Sequence, residues 1–273
     1  MLSLSIDGID LMRRAASDEA DPLNMASFPL VPYANRIAHG QFSVEGMPHQ
    51  LPLNFGDHPH SIHGHGWQSG WAVSEQSDNA LRLTLDHHAD ERWPWDFSAQ
   101  QYAIVTSNRL TLTLSMTNLS DSDAPVGLGF HPYFLSDEAT QLRFQATGLW
   151  LSSEDMLPQT LAPADALGDW SGSAPVRGHH LVDNAYAGWD GRAVVMRGDG
   201  YRLALEARGA PWLHVYRPPG EAFFCLEPVS HMPDAINRRE GMEMLPPGAT
   251  RSVSMSITVA KSDPALPKFA GIA

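Results

Sequence analysis

The sequence predicts an all-β protein, one large antiparallel β-sandwich with very little helix, and three observations support this. Apolar and polar residues alternate with a period of two from end to end, as half-buried strands require. Clusters of turn-forming residues separate these segments. No window of twelve or more residues has the apolar spacing of an amphipathic helix, and the best short candidate, Leu11 to Ala16, is weak.

The predicted elements follow one another without the strand and helix rhythm of a parallel sheet. We count roughly fifteen candidate strands, which indicates antiparallel sheets packed face to face around one core. The clearest alternations are Leu81, Leu83, Leu85; Leu110, Leu112, Leu114, Met116; Leu203, Leu205; and Val253, Met255, Ile257, Val259. The clearest turns are Ser77 to Asn79, Asn118 to Pro125, Arg197 to Gly200 and Pro218 to Gly220.

The predicted domain organisation is a single β-sandwich over residues 1–273. No repeat or boundary interrupts the pattern of strands and turns. The least strand-like stretch, Glu154 to His180, is predicted to be a long ordered excursion from the sheets.

Charge and cysteine content exclude several classes of function. The formal net charge of −13 disfavours nucleic-acid binding, which needs clustered Lys and Arg. The single cysteine, Cys225, excludes an intrachain disulfide and a cysteine-based zinc site. The N-terminus resembles no signal peptide, and no apolar run approaches a membrane span. We therefore expect a cytoplasmic protein, monomer or homodimer, with no membrane partner.

Two polar clusters in the first third of the chain are candidates for ligand contacts. Asn35 and Arg36 lie between turn residues and a strand, where an Arg is commonly solvated or paired with a surface carboxylate. His63 and His65 are flanked by glycines, which allow a ligand close approach to the backbone. In an extended segment these two histidines would lie on the same side and could bind a metal, but no third ligand is at a sensible spacing.

Two further residues have positions that strand building does not explain. His131 ends an apolar strand just before Pro132, although a structural histidine is the simpler alternative. Glu227 closes a run of five apolar residues and therefore emerges from the core. A carboxylate there must be paired, hydrogen-bonded or raised in pKa, and such groups cluster at functional sites. A buried structural ion pair is the alternative.

Taken in order, these segments resemble the aldose 1-epimerase (galactose mutarotase-like) family. The resemblance extends from about residue 28 to residue 260 and is closest to the compact bacterial members. It rests on Asn-Arg-Ile at 35–37, His-Gly at 63–64 with Trp67 nearby, His-Pro-Tyr-Phe at 131–134, Asp183, Leu-Glu-Pro at 226–228 and Pro-Asp-Ala-Ile-Asn at 233–237. The fold it implies is the galactose mutarotase-like supersandwich.

The resemblance implies a role for each matching residue. Glu227 corresponds to the base that removes the anomeric hydroxyl proton, and His131 to the acid that protonates the ring oxygen. His63 corresponds to an assisting histidine, and Arg36 and Asp183 to residues that bind sugar hydroxyls. Asn35, His65 and Trp67 are expected to line the same sugar site. The expected substrate is a free monosaccharide, with no cofactor and no metal.

One departure from the family pattern and two rival functions remain open at this stage. The longer enzymes have a Gln shortly after Glu-Pro, where this chain reads Val229-Ser230-His231, so galactose specificity does not follow. A phosphorylated sugar would need more basic residues than Arg36. The rivals are a non-catalytic sugar-binding or regulatory sandwich and a metal-dependent β-sandwich enzyme that uses His63 and His65.

Overall fold

The computed structural model describes residues 1–238 and 241–261. Residues 239, 240 and 262–273, part of the predicted domain, lie outside the described residues. Apart from four 3-10 turns, the regular elements of the described residues are strands, which confirms the all-β prediction. The 3-10 turns are Pro22–Asn24, Ala38–Gly40, Gly66–Gln68 and Ala235–Asn237.

The strands are short, and seven have only two or three residues within the described chain. In chain order they are β1 (Ser5–Ile6), β2 (Ile9–Asp10), β3 (Ser27–Leu30), β4 (Arg36–Ile37), β5 (Gln41–Val44), β6 (Met47–Gln50), β7 (Ser61–Ile62), β8 (Ala72–Gln76), β9 (Ala80–His87), β10 (Phe97–Val105), β11 (Arg109–Asn118), β12 (Ala124–Val126), β13 (Gly129–Leu135), β14 (Gln141–Phe144), β15 (Gly148–Ser152), β16 (Pro158–Ala162), β17 (Ala174–Pro175), β18 (Val182–Ala187), β19 (Arg192–Met196), β20 (Tyr201–Arg208), β21 (Trp212–Arg217), β22 (Phe223–Val229), β23 (Glu243–Leu245) and β24 (Thr250–Lys261).

Two large antiparallel sheets form the sandwich. The nine-stranded sheet has the order β17-β14-β19-β20-β24-β11-β10-β9-β8, and the seven-stranded sheet has the order β16-β15-β18-β21-β22-β13-β3. Small two-stranded sheets, among them β4 with β7, lie beside them. Because neighbouring strands are antiparallel, tight turns can join many of them, which agrees with the many turn clusters in the sequence.

The nine-stranded sheet buries one face and leaves the other accessible to water. Leu203 and Leu205 of β20 are buried with Met255 and Ile257 of β24, whereas Glu206 is exposed. The predicted alternating series become β9, β11, β20 and β24 of this sheet, which confirms those strands. A period-two pattern is typical of a sheet with one wet face.

The central strands of the seven-stranded sheet are covered on both faces. On β22, Phe224 and Leu226 pack into the main core between the sheets, whereas Cys225 and Val229 belong to a second apolar cluster on the opposite face. Residues from the segment 34–67 complete that second cluster, for example Trp67. This arrangement explains the near-continuous apolar run before Glu227.

The stretch Glu154 to His180 differs from its prediction. It contains β16 and β17, which are the end strands of the seven-stranded and nine-stranded sheets respectively. End strands pair on one side only and are partly exposed, so their sequences lack the pattern of a core strand. The weak helix candidate, Leu11 to Ala16, is not helical.

The described residues include no helix that is both long and apolar enough to cross a lipid bilayer.

Candidate active site

A cavity of about 340 Å³ lies on the covered face of the seven-stranded sheet. This volume is within the range of about 300–1,000 Å³ that is usual for small-molecule sites. Seven of the eight residues that the sequence placed in a sugar site line it: Asn35, Arg36, His63, Trp67, His131, Asp183 and Glu227.

Glu227 and His131, 96 positions apart in the chain, meet in this cavity because their strands are neighbours. Strand β13 pairs with β22 in a register that joins Gly129 to Val229 and Tyr133 to Cys225, so His131 lies opposite Glu227. His131 Nε2 is 3.3 Å from Glu227 Oε1. The second carboxyl oxygen, Oε2, is buried and has no hydrogen-bond partner among the described residues.

The imidazole of His131 packs against two aromatic rings, Phe28 and Tyr133, whose centroids are themselves 6.1 Å apart. It stacks on Phe28 at 4.6 Å and on Tyr133 at 4.7 Å between ring centroids. Phe28 is also its partner in the pairing of β13 with β3. The guanidinium of Arg13 lies 3.8 Å from the centre of the Tyr133 ring. Packing therefore sets the orientation of the imidazole toward Glu227.

Burial shifts the pKa values of this pair in opposite directions. Burial, helped by the negative charge of Asp183, raises the pKa of Glu227 well above its ordinary value, although the charge of Arg36 opposes this. Burial lowers the pKa of His131 to about 3. Both shifts favour the uncharged forms, a carboxylic acid and a neutral imidazole. The pair thus holds one proton between two basic atoms 3.3 Å apart.

Asp183 is held in a buried network beside that pair. Its Oδ2 accepts a hydrogen bond from Arg36 Nη2 at 2.9 Å, and its Oδ1 lies 2.5 Å from His214 Nε2. Burial alone would raise the pKa of Asp183, but the bonds and charges of His214 and Arg36 hold it well below its usual range. Asp183 is therefore a carboxylate, and Arg36 is an ion-pair partner rather than a solvated side chain.

Asn35 and His63 brace each other through the short β4–β7 sheet. The backbone N–H of Asn35 donates to His63 Nδ1 at 3.1 Å, and the backbone N–H of His63 donates to Asn35 O at 2.9 Å. Asn35 has a left-handed φ of 57°, which Asn tolerates better than most residues. Burial lowers the pKa of His63 well below its ordinary value. A neutral His63 whose Nδ1 accepts a bond must carry its proton on Nε2.

The segment after Glu227 supports Arg36 from outside the cavity. The backbone N–H of Asp234 donates to Arg36 O at 2.7 Å, and Asp234 Oδ1 accepts from the backbone N–H of Ala38 at 2.9 Å. His231 Nε2 accepts from the backbone N–H of Ala34 at 3.1 Å, while its Nδ1 lies 2.8 Å from Met232 O. The 231–237 segment therefore holds the arginine loop in place and does not line the cavity.

His65 is the one predicted site residue that does not line the cavity. Its ring packs at 4.4 Å from the ring of His87 and at 5.6 Å from that of Phe97, in another part of the molecule. The expectation that His63 and His65 lie on one side required an extended chain. Instead, His63 and Gly64 have φ values of 62° and 67°, which turn the chain between the two histidines. The structure therefore gives no support to a metal site built on this pair.

Sequence reasoning missed several residues of the site, above all His214. This histidine is 1% exposed, contacts Asp183, and is the cross-strand partner of Glu227. His58 was also missed, although its Nε2 accepts from Arg36 Nε at 3.3 Å. Tyr216 lines the cavity two residues beyond His214. His214 and Tyr216 lie within an apolar strand, so only the strand pairing could have shown their position.

Comparison with known structures shows the class to which this architecture belongs. A crystal structure of a candidate aldose 1-epimerase from Escherichia coli K12 superposes with a TM-score of 0.88 at 32% identity, covering 95% of this chain and 92% of that one. The galactose 1-epimerase of Lactobacillus acidophilus NCFM superposes with a TM-score of 0.77 at 18% identity, covering 94% and 87%. At that lower identity the likeness shows the fold alone, a galactose mutarotase-like sandwich.

Sequence comparison assigns the family. The aldose 1-epimerase family model matches residues 5–258, so the chain belongs to the aldose 1-epimerase family. The uncharacterized Escherichia coli K12 protein YphB is 35% identical over 251 residues, which cover 85% of this chain and 83% of YphB. The resemblance found in the sequence is thereby confirmed, and it supports an isomerase-type enzyme.

Proposed function

We propose that this protein interconverts the α and β anomers of a free aldose, with Glu227 as the base, His131 as the acid and His63 assisting. The observation that carries the proposal is the contact of 3.3 Å between His131 Nε2 and Glu227 Oε1 in a cavity of monosaccharide size. Family membership supports the same reaction.

The reaction needs one acid and one base near the hemiacetal carbon. Glu227 takes the proton from the anomeric hydroxyl as His131 delivers a proton to the ring oxygen, and the bond between C1 and the ring oxygen breaks. Rotation about C1–C2 then presents the other face of the aldehyde, and the reverse transfers close the ring. The number of protons on the pair is the same before and after, so no cofactor is required.

The proposed roles place the shared proton of the pair on the imidazole. The charge of Arg36 lowers the pKa of Glu227, and the charge of Asp183 raises that of His131. Both effects favour the proton on the imidazole, where an acid is needed, whereas burial of both groups and the charge of Asp183 beside Glu227 act in the opposite direction. Because the two groups interact strongly, the pair titrates as one unit.

The sugar hydroxyls would be bound by the groups around the pair. Asp183 provides carboxylate oxygens, Arg36 and Asn35 provide donors, and neutral His63 provides its Nε2–H. Trp67 offers an aromatic surface to the apolar side of the ring. The guanidinium of Arg36 already pairs with Asp183, so a neutral sugar fits this site better than a phosphorylated one.

The test is anomer exchange measured by polarimetry on freshly dissolved glucose, galactose, xylose and arabinose. We expect catalysis with at least one of these or a related sugar. Glu227→Gln and His131→Asn should each lower kcat by about 10²- to 10⁴-fold, the usual contribution of a general acid or base. Glu91→Gln and His88→Asn, the same changes at exposed positions, should leave kcat unchanged.

Two other outcomes would separate the rival functions. Sugar binding in calorimetry without anomer exchange would indicate a non-catalytic binding protein. Exchange that survives both Glu227→Gln and His131→Asn would contradict the proposed acid and base. Circular dichroism of each variant shows whether a loss of activity is a loss of fold.

A further inference from the structure

The thiol of Cys225 lies beside Glu227 and His131, and the proposed reaction does not use it. Cys225 precedes Glu227 by two positions on β22, so both side chains leave the same face of the strand. The cross-strand partner of Cys225 is Tyr133, two positions beyond His131. One potential ligand atom from each of His131, Cys225 and Glu227 lies within 4.8 Å of the other two, and all three residues are buried.

The spacing of these atoms suits a tetrahedral cation that prefers sulfur and nitrogen. Zinc bonds are about 2.0–2.2 Å to nitrogen or oxygen and about 2.3 Å to sulfur, so tetrahedral neighbours lie about 3.3–3.6 Å apart. His131 Nε2 and Glu227 Oε1 are already 3.3 Å apart. Cys225 Sγ lies within 4.8 Å of one ligand atom of each of these residues, so it is the candidate third ligand.

Unsatisfied polar atoms provide an independent indication. Glu227 is 1% exposed, yet its Oε2 has no hydrogen-bond partner among the described residues, and neither has His131 Nδ1. A buried carboxyl oxygen without a hydrogen-bond partner is costly, and coordination to a divalent cation offsets that cost directly. The cation can reach the site through the cavity, which Glu227 and His131 line. Water in the cavity can take the fourth position.

We propose that His131, Cys225 and Glu227 form an inhibitory site for a thiophilic divalent cation such as Zn²⁺ or Cd²⁺. One cysteine is too few for a cysteine-rich zinc site, but a mixed set needs only one thiol. On binding, the S–H bond breaks, a sulfur–metal bond forms and the proton passes to solvent. The cation occupies the acid and the base of the proposed reaction, so the loaded protein is inactive. That last statement rests on the proposed function, whereas the site itself does not.

The site can be tested without measuring activity, because the chain has a single cysteine. In a Cd²⁺ titration of the full chain, ultraviolet absorption from sulfur-to-metal charge transfer reports on Cys225 alone, whatever the histidines elsewhere bind. We expect a saturable band at one Cd²⁺ per chain, displaced by Zn²⁺. Cys225→Ser should abolish the band, and Glu227→Gln and His131→Asn should each weaken Cd²⁺ binding at least tenfold.

The matched control is His65→Asn, which alters a buried histidine outside the cavity and should leave Cd²⁺ affinity unchanged. Near-ultraviolet circular dichroism verifies that each variant is folded, and Cys225→Ala replaces Cys225→Ser where the serine variant is not. Absence of the band at saturating Cd²⁺ overturns the site. A band whose affinity is the same in Glu227→Gln and His131→Asn overturns the assignment of its ligands.

Activity measurements then test inhibition separately. Zn²⁺ should stop anomer exchange in the unmodified protein, and the concentration for half inhibition should rise at least tenfold in Cys225→Ser, each compared with its own metal-free rate. Stimulation by Zn²⁺ would overturn the inhibitory role. A Cd²⁺ band in a protein with no epimerase activity would uphold the site and contradict the proposed function.

Discussion

The two large sheets of this protein differ in how their faces are covered, although both consist of antiparallel strands. In the nine-stranded sheet, polar side chains point to water and apolar ones to the core, as Glu206 and Leu205 of β20 show. In the seven-stranded sheet both faces are covered, and its second face buries ionisable groups such as Asp183, His214 and Glu227. The nine-stranded sheet stabilises the fold at little desolvation cost. The seven-stranded sheet positions ionisable groups at a considerable desolvation cost.

The largest expected effect comes from breaking the buried network of the seven-stranded sheet. Asp183→Asn leaves the Arg36 guanidinium buried without its counter-charge. We expect a loss of about 3–5 kcal/mol in the free energy of unfolding, measured by urea denaturation, because a buried ion that loses its partner is strongly destabilising. Sugar affinity should fall as well.

The same substitution on an exposed ion pair provides the control. Asp10→Asn removes the partner of Arg14, a pair that water screens. Its unfolding curve should superpose on that of the unmodified protein. If Asp183→Asn and Asp10→Asn lower the free energy of unfolding equally, the proposed difference between the buried and the exposed ion pair is wrong.

A slightly smaller effect is expected in the nine-stranded sheet, and on stability alone. Ile257→Ala on β24 removes a fully buried side chain, which should lower the free energy of unfolding by about 2–5 kcal/mol because a cavity remains. The kcat of the folded protein should not change. Ser252→Ala, on the exposed face of the same strand, should alter stability by about 0.5 kcal/mol or less.

A third effect concerns the hydrogen bond between His214 and Asp183 in the candidate site. His214→Phe keeps a ring but removes the N–H next to Asp183 Oδ1, so Asp183 should bind sugar in a less defined position. We expect kcat/KM to fall about tenfold, which corresponds to about 1.4 kcal/mol. His214→Gln, whose amide can still donate to Asp183, should recover most of this loss. Equal activity of the two variants would show that the hydrogen bond is dispensable.

The last effect concerns pH. Burial lowers the pKa of His231 to about 4, from an ordinary value of 6.5. Between these values the unfolded chain binds the proton and the folded chain does not, so the contribution of this histidine is complete above pH 6.5 and is lost as pH falls toward 4. In His231→Gln the free energy of unfolding should depend less steeply on pH across this window, by up to about 1.4 kcal/mol per pH unit.

The matched control makes the same substitution at a surface histidine, His88, whose side chain is 97% accessible. The slope of His88→Gln is compared with that of His231→Gln. A His231→Gln variant with the same slope as the unmodified protein would mean that His231 is charged when folded, in conflict with its buried hydrogen bonds.

The sequence predicted the nine-stranded sheet better than the seven-stranded sheet, for a physical reason. Alternation reports a boundary between water and core, which β11, β20 and β24 all have. Where both faces are covered, alternation disappears, and a polar residue is conspicuous only by contrast. Glu227 was recognisable because five apolar neighbours precede it directly, whereas His214 follows Trp212 and Leu213 in a strand that also contains Tyr216.

What the sequence could not provide is register and local chain direction. His214 faces Glu227 because β21 and β22 pair with those two residues opposite each other. The turn residues Pro218 to Gly220 predict that hairpin but do not determine its register. His65 shows the reverse case, since a left-handed turn at His63 and Gly64 removed it from a site where a straight chain would have placed it.

The register between β13 and β22 has an evolutionary consequence. The proposed acid and base are held by a backbone ladder inside a sheet, while most groups that would touch the sugar hydroxyls come from separate segments around residues 35 and 63. Those segments can diverge without altering the spacing of the proton-transferring atoms. Descendants of one ancestral sandwich could therefore exchange one sugar for another and still inherit the same chemistry.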